Sequence, residues 1–111
     1  MNFETQQNKT YAIVATKVEK LDATNASELK SEFLILNKNG VNSLILDLSG
    51  TKYCDSSGLS AILAGNRLCK DTNGEFILCN LQANVQKMIQ IAQLDKVLAI
   101  SSSLEEAKNK F

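Results

Sequence analysis

The sequence has no histidine, no proline and a single arginine among its 111 residues. Without histidine it lacks the commonest general base and the commonest nitrogen ligand for zinc. An enzyme reading therefore has to lean on carboxylate, serine or lysine. Its three cysteines, Cys54, Cys69 and Cys79, are odd in number and widely spaced. They read as reduced, buried, small apolar side chains in a reducing compartment, not as a metal or disulfide framework. Five dispersed glycines form neither a phosphate loop ending in Gly-Lys-Ser/Thr nor a dinucleotide fingerprint. Twelve basic residues are balanced by twelve acidic ones, Arg67 stands alone and the lysines are scattered. That excludes a phosphate-tracking surface for nucleic acid and disfavours an anionic membrane as partner. No apolar run approaches the ~20 residues of a membrane span. The polar start, Met1 through Gln7, lacks a charged-then-apolar signal, so the expectation is a soluble, cytoplasmic protein with no membrane insertion. With no linker, repeat or low-complexity stretch, one domain over residues 1–111 is expected.

Against those absences, 44% of the residues are hydrophobic, and they fall into periodic segments. Residues 11–18 are β-branched and aromatic and read as a strand paired with residues 3–7 through a turn at Asn8-Lys9. From Thr24 the period becomes helical, with Ala26, Leu29, Phe33 and Leu36 on one face and Glu28, Lys30 and Glu32 outward. Asn25 followed by Glu28 predicts a capping box, and the run from Asn37 to Gly40 predicts the stop. Residues 43–48 and 75–79 are apolar enough for strands covered on both faces. A helix is predicted over about 57–70, with Leu59, Ile62, Leu63 and Cys69 inward. Val85, Met88, Ile89 and Ala92 mark a third helix, and residues 97–100 a further strand. Leu104, Ala107 and Phe111 align on a short terminal helix opened by a Ser103 and Glu106 capping box. Strands alternating with helices call for right-handed crossovers and parallel pairing, with the N-terminal pair as an antiparallel or mixed edge. The fold class is α/β: a mixed, mostly parallel sheet of four to five strands flanked by about four helices.

The segment that could carry chemistry is the apolar strand ending at Asp47-Leu48, the polar turn Ser49 to Lys52, and Asp55-Ser56-Ser57-Gly58-Leu59 at a helix start. This is the carboxyl end of a strand in an open α/β sheet, where loops and helix starts face partners. Free backbone N–H groups there can receive a phosphate, and the helix dipole favours its charge. Read from the residues alone, Ser56 and Ser57 serve equally well as helix caps. Asp22, Asp47 and Asp55 either converge on magnesium or cap turns and helices on a solvated rim. On the next helix, Ser60, Ala64, Arg67 and Asp71 fall at i, i+4, i+7 and i+11 on the outer side. That face is either a docking surface or an ordinary solvated one. Arg67 lies too many turns from Ser57 to be taken as a phosphate ligand.

The segment Asp55-Ser56-Ser57-Gly58-Leu59 resembles the phosphorylation loop of the STAS domain family of bacterial anti-sigma factor antagonists. Leu21-Asp22-Ala23, Asn25-Ala26 and Leu29 resemble the family's entry to its first helix, and Leu46-Asp47-Leu48 its central strand. The match extends over nearly the whole chain, through Ser103-Leu104-Glu105-Glu106-Ala107. Where many relatives carry glycine just before the Leu-Asp pair, this chain has Glu19-Lys20. The resemblance implies a non-enzymatic binding switch with Ser57 as phosphoacceptor, Asp55, Ser56 and Gly58 as its neighbours in the loop, and no cofactor or metal. Asp22, Ser60, Ala64 and Arg67 are the candidate partner-binding residues. The implied partners are an anti-sigma factor serine kinase of the histidine-kinase-like ATPase fold and a phosphoserine phosphatase. Two other readings stand beside it: a constitutive STAS subunit of a lipid-transport ABC complex or signalling scaffold, and a small nucleotide-binding enzyme using Asp47, Asp55 and Ser57.

Overall fold

The computed structural model describes residues 2–111. The chain opens with an antiparallel pair, β1 (Phe3–Gln7) and β2 (Ala12–Thr16), in register from Phe3 opposite Thr16 to Gln7 opposite Ala12. The Asn8 side chain accepts from the Thr10 and Tyr11 amides, each at 2.8 Å. The reversal therefore spans residues 8–11 rather than Asn8-Lys9 alone, and Tyr11 belongs to the turn, not the strand. There follow β3 (Lys20–Leu21), α1 (Ala26–Lys38), β4 (Leu44–Asp47), β5 (Tyr53–Cys54) and α2 (Ser56–Asp71). The chain ends with β6 (Phe76–Cys79), α3 (Ala83–Ile91), a 3-10 turn at Leu94–Lys96, β7 (Ala99–Ser101) and α4 (Leu104–Lys108). Five strands form one sheet in the order β1-β2-β4-β6-β7, antiparallel only at β1. The predicted fold class is the one observed.

Strand alternation explains why the central strands are apolar throughout. Ala12, Val14, Leu44, Leu46, Phe76 and Leu78 belong to the main core with Leu29, Phe33, Leu36, Leu59, Ile62, Val85 and Ile89 of α1, α2 and α3. Ile13, Ile45, Ile77 and Cys79 point the other way, into a smaller cluster with Ala107, against which Tyr11, Leu104 and Phe111 pack. Each large side chain wholly removed from water contributes roughly 1.5–3 kcal/mol, and Phe33, Leu29, Ile45, Leu46, Ile62 and Leu78 are all in that class. The Phe33 and Phe76 rings meet edge to face at 5.5 Å. A Cβ on Gly65 would come within 2.7 Å of both rings, so α2 crosses this point only as glycine.

Several local expectations are corrected. Asn25 precedes α1 but its side chain does not cap it; it accepts from the Asp22 amide at 3.0 Å and donates to the Lys20 carbonyl at 2.9 Å. Glu28 instead accepts from the Asn2 side chain, because the approach from β3 turns Asn25 inward. Helix α2 starts at Ser56, with Asp55 as its cap. Leu63 is half-buried and Ala92 is exposed. Helix α3 stops at Ile91, and Gln93 in the left-handed region (φ 60°) turns the chain into the 3-10 segment. That segment takes up Val97's neighbourhood, so the last strand is Ala99–Ser101 and only Leu98 of the predicted run is buried. At α4, Ser103 accepts from the Glu106 amide at 3.1 Å as expected, but the Glu106 carboxylate reaches Ser102 rather than closing the box on Ser103.

A two-stranded parallel sheet, β3 with β5, was not expected. Lys52 and Tyr53 donate to the Glu19 carbonyl and Asp55 to the Leu21 carbonyl. The wholly buried Thr51 fixes the loop below them, its hydroxyl donating to the Val18 carbonyl at 2.7 Å and pairing with the Thr16 hydroxyl at 2.8 Å. This small sheet lies past the carboxyl ends of β2 and β4 and sets the starts of α1 and α2 side by side.

Candidate functional site

The start of α2 is held by Asp55, whose carboxylate accepts from the Gly58 amide at 3.0 Å. This satisfies one of the four backbone donors that a helix start leaves open. Gly58 is buried, and a Cβ there would meet the Leu21 carbonyl oxygen and lie 2.6 Å from Cys54 Sγ. The glycine of the motif is thus demanded by the close approach of α2 to β3. Because Asp55 makes the capping bond, the Ser56 and Ser57 hydroxyls at the first two helical positions are not needed for it. Ser56 is exposed and Ser57 half-buried.

Ser56, Ser57 and Ser60 of α2 line one side of an open groove of about 390 Å³, and Ala23, Ala26, Ser27 and Lys30 line the other. A second groove of about 610 Å³ lies across the helix start, lined by Glu19, Lys20, Leu21, Asp22, Tyr53, Cys54 and Asp55. Ser57 and Asp55 therefore face different grooves although two residues apart. Asp22 joins Asp55 on the second groove, while Ala64, Arg67 and Asp71 lie farther along α2 and line neither. Ser60, Arg67 and Asp71 are exposed, as the helical spacing predicts, whereas Ala64 is half-buried.

The three aspartates each have a local use. Asp22 accepts from the Thr24 hydroxyl at 2.6 Å and the Thr24 amide at 3.0 Å. Those two bonds, with a smaller contribution from the Lys20 charge, hold its carboxyl below the usual range. Asp47 accepts from the Ser49 amide and the Asn80 side chain, tying the exits of β4 and β6 together. Asp55 caps α2. Among the described residues no three His, Cys, Asp or Glu side chains gather to hold a metal. Cys54, beside the loop, is pushed up to about 12 by burial and then by the Asp55 charge, so its thiol is not a nucleophile at neutral pH.

Two residues of the site were not singled out by the sequence. Tyr53 is exposed and shared between the second groove and a third one, of about 330 Å³, with Asn84, Lys87, Met88 and Ile91. Lys30 reads in the sequence as one more outward charge, and only the packing of α1 on α2 sets it across from Ser57. Among the described residues no helix is long and apolar enough to cross a membrane.

The STAS domain family matches residues 2–107. BtrV of Bordetella bronchiseptica, named as an anti-sigma factor antagonist, is 26% identical over 91 residues, which is 82% of this chain and 78% of that protein. A crystal structure of a Thermotoga maritima protein described as an anti-sigma factor antagonist superposes with a TM-score of 0.86 at 24% identity. It covers 97% of this chain and 92% of that one. The anti-sigma factor antagonist SpoIIAA in its unphosphorylated form gives 0.83 at 20% identity, covering 97% and 94%. Bacillus SpoIIAA in its phosphorylated form gives 0.75 at 20% identity, covering 97% of each chain.

Proposed function

The chain belongs to the STAS domain family, and on that footing we propose that it is an anti-sigma factor antagonist whose binding is switched by phosphorylation of Ser57. The observation that carries this reading is the placement of Ser57. It sits at the second position of α2, half-buried, on a groove beside the start of α1, with the capping role already taken by Asp55. The names of BtrV and SpoIIAA, and the existence of SpoIIAA in both phosphorylated and unphosphorylated forms, support it.

In this reading the unmodified form docks on an anti-sigma factor through the Ser57 loop and the outward side of α2, with Ser60, Ala64 and Arg67 in the contact and Asp22 at its rim. That partner is a serine kinase with the histidine-kinase-like ATPase fold, and binding it frees a sigma factor. The kinase modifies Ser57 and a phosphoserine phosphatase resets it. The phosphate brings about −1.5 to −2 charges at pH 7, and removing them from water in a packed interface opposes docking. A loss of roughly 3 kcal/mol weakens binding more than a hundredfold, so release requires no refolding. The domain itself contributes a surface and an acceptor hydroxyl, and the transfer chemistry belongs to the partner.

The test is intact-mass and peptide mass spectrometry on protein recovered from its native host, with co-purification of partners by wild type, Ser57→Ala and Ser57→Asp. A single phosphate on Ser57, missing from the partner-bound pool, is the expected result. No phosphate under any growth condition, with the same partners held by all three proteins, would leave a constitutive binding subunit in place of the switch.

A further inference from the structure

We infer that Lys30 is the residue that the added phosphate meets within the domain: a phosphate on Ser57 pairs with the Lys30 ammonium across the groove between α1 and α2. The inference rests on the reading of Ser57 as phosphoacceptor and adds what the modified group meets within its own domain.

Lys30 is the single charged side chain lining the groove that holds Ser57. Its neighbours three and four residues away on α1 are Ala26, Ser27, Phe33 and Leu34, so no acidic side chain stands where a helical ion pair would form. Among the described residues the one ion pair of the protein is Lys108 with Glu105, at 3.7 Å. The lysine is thus exposed and free of a partner. Ala23 and Ala26 leave room on the α1 side, and the Ser27 and Ser60 hydroxyls add hydrogen-bond donors. The nearby carboxylates, Asp22 and Asp55, line the other groove, with Asp55 turned to the Gly58 amide. A phosphate on Ser57 therefore enters a groove whose only formal charge is positive.

The pairing has two consequences. It offsets one of the added charges inside the domain, and it draws the lysine side chain and the phosphate together over the mouth of the groove, filling the space beside Ser57. The modified loop then differs from the unmodified one in shape as well as in charge.

The test installs phosphoserine at position 57 during synthesis, so that it does not depend on any kinase recognising the chain, and reads the second ionisation of the phosphate by phosphorus NMR. An exposed ion pair supports a pKa lowering of about 0.5 unit. The phosphate in the Lys30→Gln protein is expected to titrate about that much higher than in the Lys30 protein, with Lys30→Arg restoring the lower value. The difference is expected to fade at 1 M salt, where charges are screened within about 3 Å. Equal titration of the Lys30 and Lys30→Gln proteins at low salt would overturn the pairing. Absence of phosphate on protein from the host would instead overturn the acceptor role of Ser57 and leave this result standing.

Discussion

Replacing Gly58 with alanine sets two effects of opposite sign against each other. Helix propensity favours the change, since alanine exceeds glycine by about 1 kcal/mol inside a helix. Packing opposes it, because the new Cβ meets the Leu21 carbonyl and lies 2.6 Å from Cys54 Sγ. The first obstacle is backbone of β3, held by the Tyr53-Cys54 strand and by the Asp55 amide on that same carbonyl. It cannot swing aside like a side-chain tip. Relief requires the start of α2 to move outward, which strains the core at a cost of about 1–3 kcal/mol. It also opens the Asp55 cap, worth about 1 kcal/mol. The sum is a net destabilisation of about 1–3 kcal/mol, or roughly 4–12 °C in melting temperature for a domain this size. Urea titration of wild type, Gly58→Ala, Asp55→Ala and the double variant measures it. If the cap is already lost in Gly58→Ala, the effects of the two substitutions fall short of adding. A Gly58→Ala protein as stable as wild type, or full additivity in the cycle, would refute the close-approach argument and return this glycine to an ordinary helical position.

Three further outcomes follow from the packing. Thr51→Val keeps the shape of a wholly buried side chain but strands the Val18 carbonyl and leaves the Thr16 hydroxyl with only its long bond to the Asp47 carbonyl, and urea titration should show a loss of about 1–3 kcal/mol. Phe111→Ala removes a ring stacked on Tyr11 at 4.8 Å over the smaller core; a loss of about 1–2 kcal/mol is expected, with faster amide exchange in α4. Burial pushes all three thiols up to about 12. The folded chain therefore keeps protons that the unfolded chain releases, so this stabilisation is complete below about pH 9 and is lost as pH rises toward 12. Urea midpoints should fall above pH 9, and a thiol reagent at pH 8 should modify the cysteines only after denaturation.

The long periodic segments were legible because a single physical pattern fixed each of them. Leu44 through Leu46 had to be covered on two faces, and Ala26, Leu29, Phe33 and Leu36 had to face one core. Asp55, Ser56, Ser57 and Gly58 stood out as a motif and as a helix start, and both readings bear on the same turn. Asn25 was misread because a cap is a local pattern, while its actual partners, the Asp22 amide and the Lys20 carbonyl, depend on how the chain enters from β3. The pairs Lys20-Leu21 and Tyr53-Cys54 are too short to show a period, and each is a strand only because the other lies beside it 33 residues away.

The sequence by itself determined the α/β alternation, the central apolar strands, the inward faces of the helices and the start of a helix at the Asp55 to Leu59 segment, since these depend on residue type and spacing along one segment. The tertiary structure decided what that segment is set against. Which of two adjacent side chains caps the helix, why its glycine admits no Cβ, and that Lys30 shares a groove with Ser57 all depend on the distance between β3, α1 and α2. That distance is set by long-range hydrogen bonds and core packing, and no local spacing encodes it.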